Sequence, residues 1–447
     1  MRETSTGAPP SSPSDAYAWY VVAVLTLANI SANVDQYILT LLVEPIKRDL
    51  GISDVQMSLL IGPAFTIFYA VLGFPIARLA DRANRRNLMA GGVALWSVFT
   101  TLCATARAYG RLFLLRVGVG VGEASLGAPS VSLLADYFPS ERRGRALSTY
   151  SLGIYIGAGS AYFIGALIVG LVASTGTWTV PVIGEIRPWQ SVFLAVGLPG
   201  LVVAALFATI REPERRGVER RVPLSALVRY VAANRRTYIA HSFGFAASGL
   251  VNSALAAWLA TFFVRTYGLT APQAGKAQGL LTISIGTVGV LCGGWAADAF
   301  VTRGRVDGPL RVGMIGAAGM LVFATAMPLM PTATLAIVCL AVVNFFAAFP
   351  WGAAAAAAAE MVPRSLRAQG VSLFFFVRAF MAQALGPTSV ALLSDRVFGV
   401  GGIRYSLVVV NVAGMTTALV LFAAGLGSYR RTLADRQRWA SDMEAVA

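Results

Sequence analysis

Apolar residues recur in long runs, separated by short polar segments, along almost the whole chain. A helix needs about 20 consecutive apolar residues to cross a bilayer, and runs of this length follow one another through the sequence. The pattern predicts twelve membrane-spanning helices, at residues 17–43, 56–77, 87–107, 112–135, 146–173, 189–210, 238–264, 277–301, 310–330, 333–359, 369–393 and 403–428. A polar Ser/Pro-rich segment precedes the first run and no clear cleavage site follows it, so we expect a retained span rather than a signal peptide.

Composition agrees with an all-α integral membrane protein. Hydrophobic residues make up 56% of the chain and charged residues 13%, whereas soluble domains carry about 25% charged residues. The three cysteines lie in apolar runs without metal-ligand spacing, and neither lysine belongs to a phosphate-binding loop. We therefore expect no metal, no cofactor and no enzymatic activity.

The sequence contains an internal repeat. Residues 136–148 and 360–372 share an acidic residue, a proline, an arginine and a serine in the same order, and residues 81–86 and 298–303 repeat more weakly. Repeats of this kind are typical of secondary transporters, whose substrate site lies between the two halves. The predicted organisation is an N-terminal tail at 1–16, a six-helix bundle at 17–210, a basic linker with an amphipathic helix at 211–237, a second pseudo-symmetric six-helix bundle at 238–429 and a C-terminal tail at 430–447.

The formal net charge of +15 follows the predicted topology. If both termini are cytoplasmic, 25 Lys and Arg residues lie on that side, 9 lie on the other and 2 lie within spans. This asymmetry is the positive-inside rule. The basic surplus thus indicates orientation and contact with membrane lipids rather than nucleic-acid binding.

Three charged residues stand out within the predicted spans, where a charge costs about 2.5–3.5 kcal/mol to insert. They are Asp35 in the first span and Arg116 and Glu123 in the fourth. Arg116 and Glu123 are seven residues apart and share a helix face, and Asp35 falls between them in depth. If the two spans are neighbours, the three side chains can form one ionic cluster.

Two alternatives are open for this cluster. Two carboxylates that share one arginine cannot both stay ionised at low cost in a low-dielectric setting, so the cluster can take up and release a proton. Asp35, Glu123 and Arg116 are therefore the predicted proton-coupling residues. The other possibility is a structural ion pair that joins the two spans without titrating.

Four further residues are candidates for substrate binding: Arg378, Phe345, Phe374 and Tyr150. Arg378 lies among aromatic residues in the eleventh span and can hold an anionic headgroup, although it can equally snorkel or cap a neighbouring helix. The aromatic residues can line a lipid-sized pocket, or they can face lipid.

Charged residues in the short loops between spans form a second predicted device, a conformational latch between the halves. Acidic side chains in these loops can bind a helix end of the opposite half and separate when the halves rock. The alternative is a solvated loop that only sets topology. The candidate latch residues are Asp81, Arg82, Arg85, Asp298, Arg143 and Arg367.

Residues 73–86 resemble the loop motif between spans two and three of the major facilitator superfamily. Within that superfamily, residues 51–60, 116–125 and 128–129 resemble the spinster-like transporters. The resemblance implies the major facilitator fold, a proton-linked or facilitative carrier, and a lysophospholipid- or sphingoid-like substrate.

We therefore expect a proton-coupled secondary transporter that moves a small amphipathic lipid by alternating access. A drug or organic-anion exporter of the same superfamily is the alternative. We further expect a monomer in a bacterial inner (plasma) membrane, with both termini cytoplasmic.

Overall fold

α-Helices account for nearly all of the molecule. The structure is a computed structural model, and it describes residues 14–80, 82–174, 176–180, 184–213 and 223–446. The helices of the first half are α1 (Asp15–Leu41), α2 (Val43–Leu50), α3 (Asp54–Ile61), α4 (Pro63–Ala80), α5 (Arg85–Cys103), α6 (Tyr109–Glu123), α7 (Gly127–Tyr137), α8 (Ser140–Ala173) and α9 (Pro188–Leu206).

The linker and the second half are also helical in the described residues. Their α-helices are α10 (Leu224–Ala233), α11 (Arg235–Tyr238), α12 (Gly244–Tyr267), α13 (Ala271–Leu281), α14 (Thr287–Thr302), α15 (Gly308–Ala326), α16 (Ala333–Ala348), α17 (Trp351–Glu360), α18 (Arg367–Phe380), α19 (Gly386–Leu393) and α20 (Ile403–Val446). Short π-helical segments join α11 to α12, α13 to α14 and α18 to α19 at Ile239–Phe243, Thr282–Gly286 and Met381–Leu385. A further π-helical segment, Ser394–Phe398, follows α19, and 3-10 turns lie at Phe207–Thr209, Met327–Leu329, Arg364–Leu366 and Val400–Gly402.

The all-α membrane fold predicted from the apolar runs is confirmed. In the described part of the chain, ten helical segments are long and apolar enough to cross a membrane. The predicted second and third spans correspond to α3 with α4 and to α5. Several spans are broken where proline or glycine interrupts the backbone ladder, as at Gly62–Pro63 between α3 and α4 and at Pro350 between α16 and α17.

Two small elements lie outside the spans. Strands β1 (Trp178–Val180) and β2 (Gly184–Ile186) pair antiparallel, in the segment that joins α8 to α9. Helix α10 covers the part of the linker that the sequence predicts to be amphipathic, and Tyr230 of this helix donates a hydrogen bond to the carbonyl of Met361 at the end of α17. The linker therefore packs against the second bundle.

The membrane domain has two ends, which we name by what they carry. The terminal face holds the first residue of α1, the start of the linker and the last turns of α20, and it includes Asp15, Arg85, Glu212, Asp307 and Arg430. The far face is the opposite end, and it includes Glu44, Lys47, Asp54, Arg265 and Asp395.

The two bundles pack closely toward the far face, where α8 contacts α13 and α3 contacts α19. Glycine makes the first of these contacts possible. A Cβ atom placed on Gly279 would lie 2.7 Å from the carbonyl oxygen of Gly159 and 2.8 Å from the backbone nitrogen of Phe163. Small residues at such positions allow helix backbones to approach directly. The central space between the bundles is thus narrow at this end.

Candidate functional site

The first and fourth spans meet at a buried ion pair. Asp35 of α1 accepts a hydrogen bond from Arg116 Nη1 of α6 at 3.1 Å, and a second one from the hydroxyl of Thr100 on α5. Arg116 is fully buried and Asp35 is 1% exposed. The predicted neighbourhood of these two spans is therefore present, and the pair sits inside the N-terminal bundle, away from lipid.

Glu123 does not join this ion pair. It is the last residue of α6 and lies two turns beyond Arg116. Among the described residues it has no cationic partner within 4.0 Å, and its buried Oε1 has no hydrogen-bond partner. The Nε and Nη2 atoms of Arg116 are also buried without partners in the described part of the chain. Both groups therefore retain hydrogen-bonding capacity that the fold does not use.

Glu123 instead borders a polar cavity between the two bundles. The cavity has about 720 Å³ of empty space, and Gln383 and Ala379 of the eleventh span form its second wall. Its polar lining residues are Asn29, Asn33, Gln36, Thr66, Tyr69, Glu123 and Gln383. The carboxyl group of Glu123 therefore shares this cavity with amides and hydroxyls from the first, second and eleventh spans. Its charge can act on side chains of both bundles.

Tyr150 lies next to this cavity but is itself buried. Its hydroxyl accepts a hydrogen bond from Asn29 Nδ2 at 3.2 Å, and its side chain is 2% exposed. Asn29 lines the cavity. The structure thus places Tyr150 behind the cavity wall, in contact with one of the wall's residues.

A second cavity lies within the C-terminal bundle, with about 360 Å³ of empty space when the open solvent at its mouth is included. Arg378 lines it, and the guanidinium carbon of Arg378 lies 4.3 Å from the ring centroid of Trp351. Phe374 lines the same cavity and packs against His241 and Phe245, with ring centroids 4.8 and 6.1 Å away. Arg378 and Phe374, two of the four candidate binding residues, are therefore brought together in one pocket.

Phe345, the third aromatic candidate for binding, lies elsewhere in the C-terminal bundle. It packs against Phe346 and Phe349, with ring centroids 5.2 and 5.6 Å away, next to α14. His241 of the seventh span is fully buried, and its Nε2 contacts the carbonyl of Ala354 at 3.1 Å.

The candidate latch residues whose contacts the structure describes make these contacts within one half and its linker. Arg85 is buried and forms ion pairs with Asp136 of α7 and with Glu212, at 2.7 Å in the second case. Arg367 donates to the carbonyl of Ala359 at 3.2 Å, within the C-terminal bundle. Arg82 and Asp298 are exposed, Asp81 lies outside the described residues, and the side chain of Arg143 is not described. A latch between the halves at this face stays a prediction.

Among the described residues, the ion pairs that connect the halves lie at the far face. Arg265, near the end of α12, binds Asp54 through two nitrogens, with Nη1–Oδ2 and Nη2–Oδ1 distances of 2.7 and 2.8 Å. Its Nε also donates to Glu44 Oε1 at 2.7 Å. Lys47 adds a third contact to Asp54. Bidentate arginine–carboxylate pairs are among the stronger polar contacts in proteins.

Asp395 completes this connection from the second half. Its carboxylate accepts the backbone N–H groups of Asp54 and Val55 at 3.3 and 2.8 Å, so it caps the first turn of α3 across the bundle boundary. Negative charge is favourable at a helix N-terminus. Ser394 Oγ also donates to Asp54 at 2.9 Å. We call Glu44, Lys47, Asp54, Arg265 and Asp395 the far-face cluster.

The ionisation of Asp54 reflects its partners. Burial alone would raise the pKa of this carboxyl group, but hydrogen bonds from Arg265 and Lys47, together with their positive charges, outweigh burial and hold the pKa below its usual value of 3.8. Asp54 is therefore ionised at neutral pH. Sequence reasoning missed the far-face cluster because Asp54 and Arg265 are 211 positions apart. The sequence offered one indication only: residues of opposite charge lie near the ends of spans that belong to different halves.

Comparison with known proteins places the chain among membrane transporters. The profile of the Major Facilitator Superfamily matches residues 25–387. An "MFS-type efflux pump" of Mycolicibacterium smegmatis is 27% identical over 440 residues, which are 94% of this chain and 95% of that protein. Human "Protein spinster homolog 1" is 32% identical over 256 residues, which are 55% of this chain and 46% of that protein. The matched region is thus about half the length of the human spinster relative.

Solved structures show the same fold. A bacterial homologue of the human lysosomal transporter spinster, in an inward-facing and unoccupied conformation, superposes with a TM-score of 0.79 at 25% identity and covers 96% of this chain and 99% of its own. A D-xylose-proton symporter superposes with a TM-score of 0.67 at 16% identity, a likeness of fold alone. The chain is accordingly a multi-pass membrane protein and a secondary transporter of the alternating-access type. It belongs to the major facilitator superfamily and is spinster-like in sequence and fold.

Proposed function

We propose that the protein couples the movement of protons to the transport of an amphipathic lipid. The observation that carries this proposal is Glu123, a carboxylic acid at the edge of the polar cavity, with no cationic partner among the described residues. Intramembrane ionisable groups that border a cavity are the usual components of proton relays in transporters. Glu123 is the proposed proton carrier, and Asp35 and Arg116 respond to its charge.

The response works through competition for Arg116. With Glu123 protonated and neutral, Arg116 pairs with Asp35 alone, as in the structure. When the proton leaves, Glu123 becomes a second anion on the same face of the fourth span, and the unpartnered Nε and Nη2 atoms of Arg116 are available to it. The attraction between Asp35 and Arg116 then weakens, which loosens α1 from α6.

Loosening of α1 reaches the far face because the same chain segment runs on into the far-face cluster. Helix α2 follows α1 directly and carries Glu44 and Lys47, and both of these residues contact the Asp54–Arg265 pair. We propose that the cluster closes the far side of the central cavity in this state and separates in the opposite state. Proton release at Glu123 and opening at the far face are then linked steps of one cycle.

The proposed substrate is a lysophospholipid- or sphingoid-like molecule. The spinster-like resemblance supports this class, and so does the composition of the second cavity, where the rings of Phe245, Phe374 and Phe375 accompany one arginine. Aromatic and apolar walls with a few polar groups are typical of pockets for amphipathic ligands. The same arrangement suits a molecule with one charged end and one apolar end.

The alternative function is export of a drug or organic anion. The observation that favours it is the efflux pump of Mycolicibacterium smegmatis, which matches 94% of this chain. The two functions differ in the transported molecule and not in the transport mechanism. Transport assays with a panel of single-chain lipids and of cationic and anionic drugs would separate them.

For orientation, we propose a bacterial plasma membrane with the terminal face in the cytoplasm and a monomer as the working unit. The distribution of Lys and Arg supports this orientation, since 25 of the 36 fall on the proposed cytoplasmic side. The far face then looks outward, and the cluster there is an outer gate.

The test uses purified protein in proteoliposomes with a fluorescent lysophospholipid, at imposed pH gradients. We expect Glu123→Gln to abolish the pH dependence of transport while the protein stays folded, because the amide cannot exchange a proton. The matched control is Glu185→Gln, since Glu185 is exposed in the β1–β2 hairpin. A pH response in E123Q equal to that of wild type would remove Glu123 from the mechanism and leave the Asp35–Arg116 contact as a structural pair.

A further inference from the structure

Arg378, which is half-buried, differs from Arg116 and Arg265 in the partners that the fold gives it. Arg116 pairs with Asp35, and Arg265 pairs with Asp54 and Glu44. Arg378 has neither an ion pair nor a hydrogen bond with any described protein group, and its guanidinium group lies over the ring of Trp351. A cation within a membrane-spanning helix is costly to insert, so one without an anionic partner indicates a function.

The surroundings hold the guanidinium group in place but leave its edge open. One face lies over Trp351, at 4.3 Å from the ring centroid, a cation–π geometry. The side-chain stem runs beside Gly249, where an added Cβ would lie 3.5 Å from Arg378 Cγ and 3.6 Å from Nε. The ring and the absence of a side chain on Gly249 therefore fix the plane, while the N–H donors along the edge stay unpaired among the described residues.

A second unpaired polar group faces the same cavity. Asn252 lies one turn after Ser248 on α12, and both residues line the cavity with Arg378. Asn252 is half-buried and makes no hydrogen bond with a described protein group. Residues four apart share a helix face, so α12 presents a hydroxyl and an amide together to the space in front of the guanidinium group.

The rest of the wall is apolar. Phe245, Phe374 and Phe375 line the cavity. The next residue after Arg378, Ala379, lines the polar cavity that holds Glu123. The two cavities are thus neighbours along one helix, with a cation in one and a carboxyl group in the other.

We infer that Arg378, Asn252 and Trp351 form a binding site for the anionic headgroup of a single-chain amphiphile, whose tail lies along the phenylalanine rings. A guanidinium edge binds phosphate or carboxylate oxygens through two parallel hydrogen bonds. This inference rests on the proposed function and deepens it. It specifies that the substrate is negatively charged and that its headgroup binds to the second bundle, whereas the proton binds to the first.

The experiment measures binding without any gradient, so its outcome does not depend on proton coupling. Purified protein in nanodiscs of phosphatidylcholine is titrated with radiolabelled dodecyl phosphate, with dodecyltrimethylammonium, dodecanol and inorganic phosphate as competitors. We expect saturable binding of dodecyl phosphate that dodecyltrimethylammonium and dodecanol displace poorly. Inorganic phosphate should compete only at much higher concentration, because it lacks the tail.

The variants separate charge from geometry. Arg378→Gln should weaken dodecyl phosphate binding by about tenfold or more, since charge-assisted hydrogen bonds are lost. Arg378→Lys keeps the charge but loses the planar fork, so we expect an intermediate loss, and Asn252→Leu should also weaken binding. Arg396→Gln is the matched control, because Arg396 is exposed at the far face of the same bundle.

Three results would overturn the inference. The first is wild-type affinity for dodecyl phosphate in folded R378Q, or in both R378K and N252L if R378Q does not fold. The second is equal displacement by dodecanol, which would mean that the tail alone binds. The third is displacement by inorganic phosphate as effective as by dodecyl phosphate itself, which would make free phosphate the ligand. If transport proves independent of pH but R378Q loses binding, the proposed coupling fails and the anion site stands.

Discussion

Arg265 holds Asp54 by two hydrogen bonds of 2.7 and 2.8 Å, and this pair joins the seventh span of one bundle to the beginning of the second span of the other. Asp395 accepts two backbone N–H groups from the same turn of α3. The hydroxyl of Ser394 adds a further donor to Asp54 at 2.9 Å. The two bundles are therefore joined at the far face by charged contacts in addition to helix packing.

The first prediction concerns this gate. Arg265→Gln should raise the population open at the far face by about tenfold, because a buried charge-assisted contact contributes about 1.5–3 kcal/mol. The measurement is the distance distribution between spin labels placed on Ser174 and Thr332, in a variant that lacks the native cysteines. Both positions are exposed at the far face, one on each bundle.

The matched control is Arg396→Gln, which removes an exposed arginine from the same face and should leave the distances unchanged. If R265Q gives the wild-type distribution and R396Q does so too, the Arg265–Asp54 pair does not hold the far face closed. The packing of α8 against α13 would then be sufficient for closure.

The second prediction tests that packing directly. Gly279→Val should prevent full closure of the far face, because even a Cβ on Gly279 would meet the backbone of Gly159 and Phe163 at 2.7 and 2.8 Å. Contacts this short cannot be accommodated without movement of one helix, and protein interiors resist such overpacking at a cost of about 1–3 kcal/mol. The Ser174–Thr332 distance should lengthen.

Gly294 provides the control for this substitution. It lies on α14 of the same span, and a Cβ there meets nothing within 4 Å. Gly294→Val changes helix propensity by the same amount as G279V but adds no contact between bundles, so its distances should match wild type. If the two variants gave the same Ser174–Thr332 distances, the effect of G279V would come from altered helix propensity and not from a contact between the bundles.

The spans could be predicted from the sequence because hydrocarbon imposes one length and one composition on every crossing helix. The pairing of Asp35 with Arg116 could be anticipated for a related reason: two buried charges of opposite sign at similar depth rarely stay apart. The position of Glu123 outside that pair follows from geometry, since seven residues of helix separate the two side chains by about 10 Å along the axis. One arginine does not reach both carboxylates in a single conformation.

The far-face cluster and the cavity around Arg378 could not be predicted in this way. Each is assembled from segments far apart in the chain, with Asp54 and Arg265 separated by 211 positions. The tilt of the bundles determines which charged helix ends come into contact. The hydropathy pattern does not predict this tilt. The stacking of Arg378 on Trp351 likewise depends on the break at Pro350, which redirects α17.

The third prediction concerns pH and uses Asp54, which lies before the second span. Its pKa is held below 3.8 by Arg265 and Lys47, against the opposing effect of burial. A carboxyl group whose pKa is lower in the closed gate stabilises that state fully above its ordinary pKa, and the contribution is lost only as the pH falls through the lowered value. Between about pH 8 and about pH 5, well above the ordinary range of a carboxyl group, the gate should therefore not respond to pH through Asp54.

The measurement for this pH prediction is the Ser174–Thr332 distance across that interval in an E123Q background, which removes the proposed proton site. We expect one distance distribution throughout, and D54N in the same background should lengthen the distance equally at every pH, because the amide has lost the charge that Arg265 and Lys47 bind. A gate that opens progressively between pH 8 and pH 5 in E123Q, and does not do so in E123Q/D54N, would contradict this expectation. It would mean that Asp54 itself titrates there and that the far face, rather than the cavity, is where this transporter senses protons.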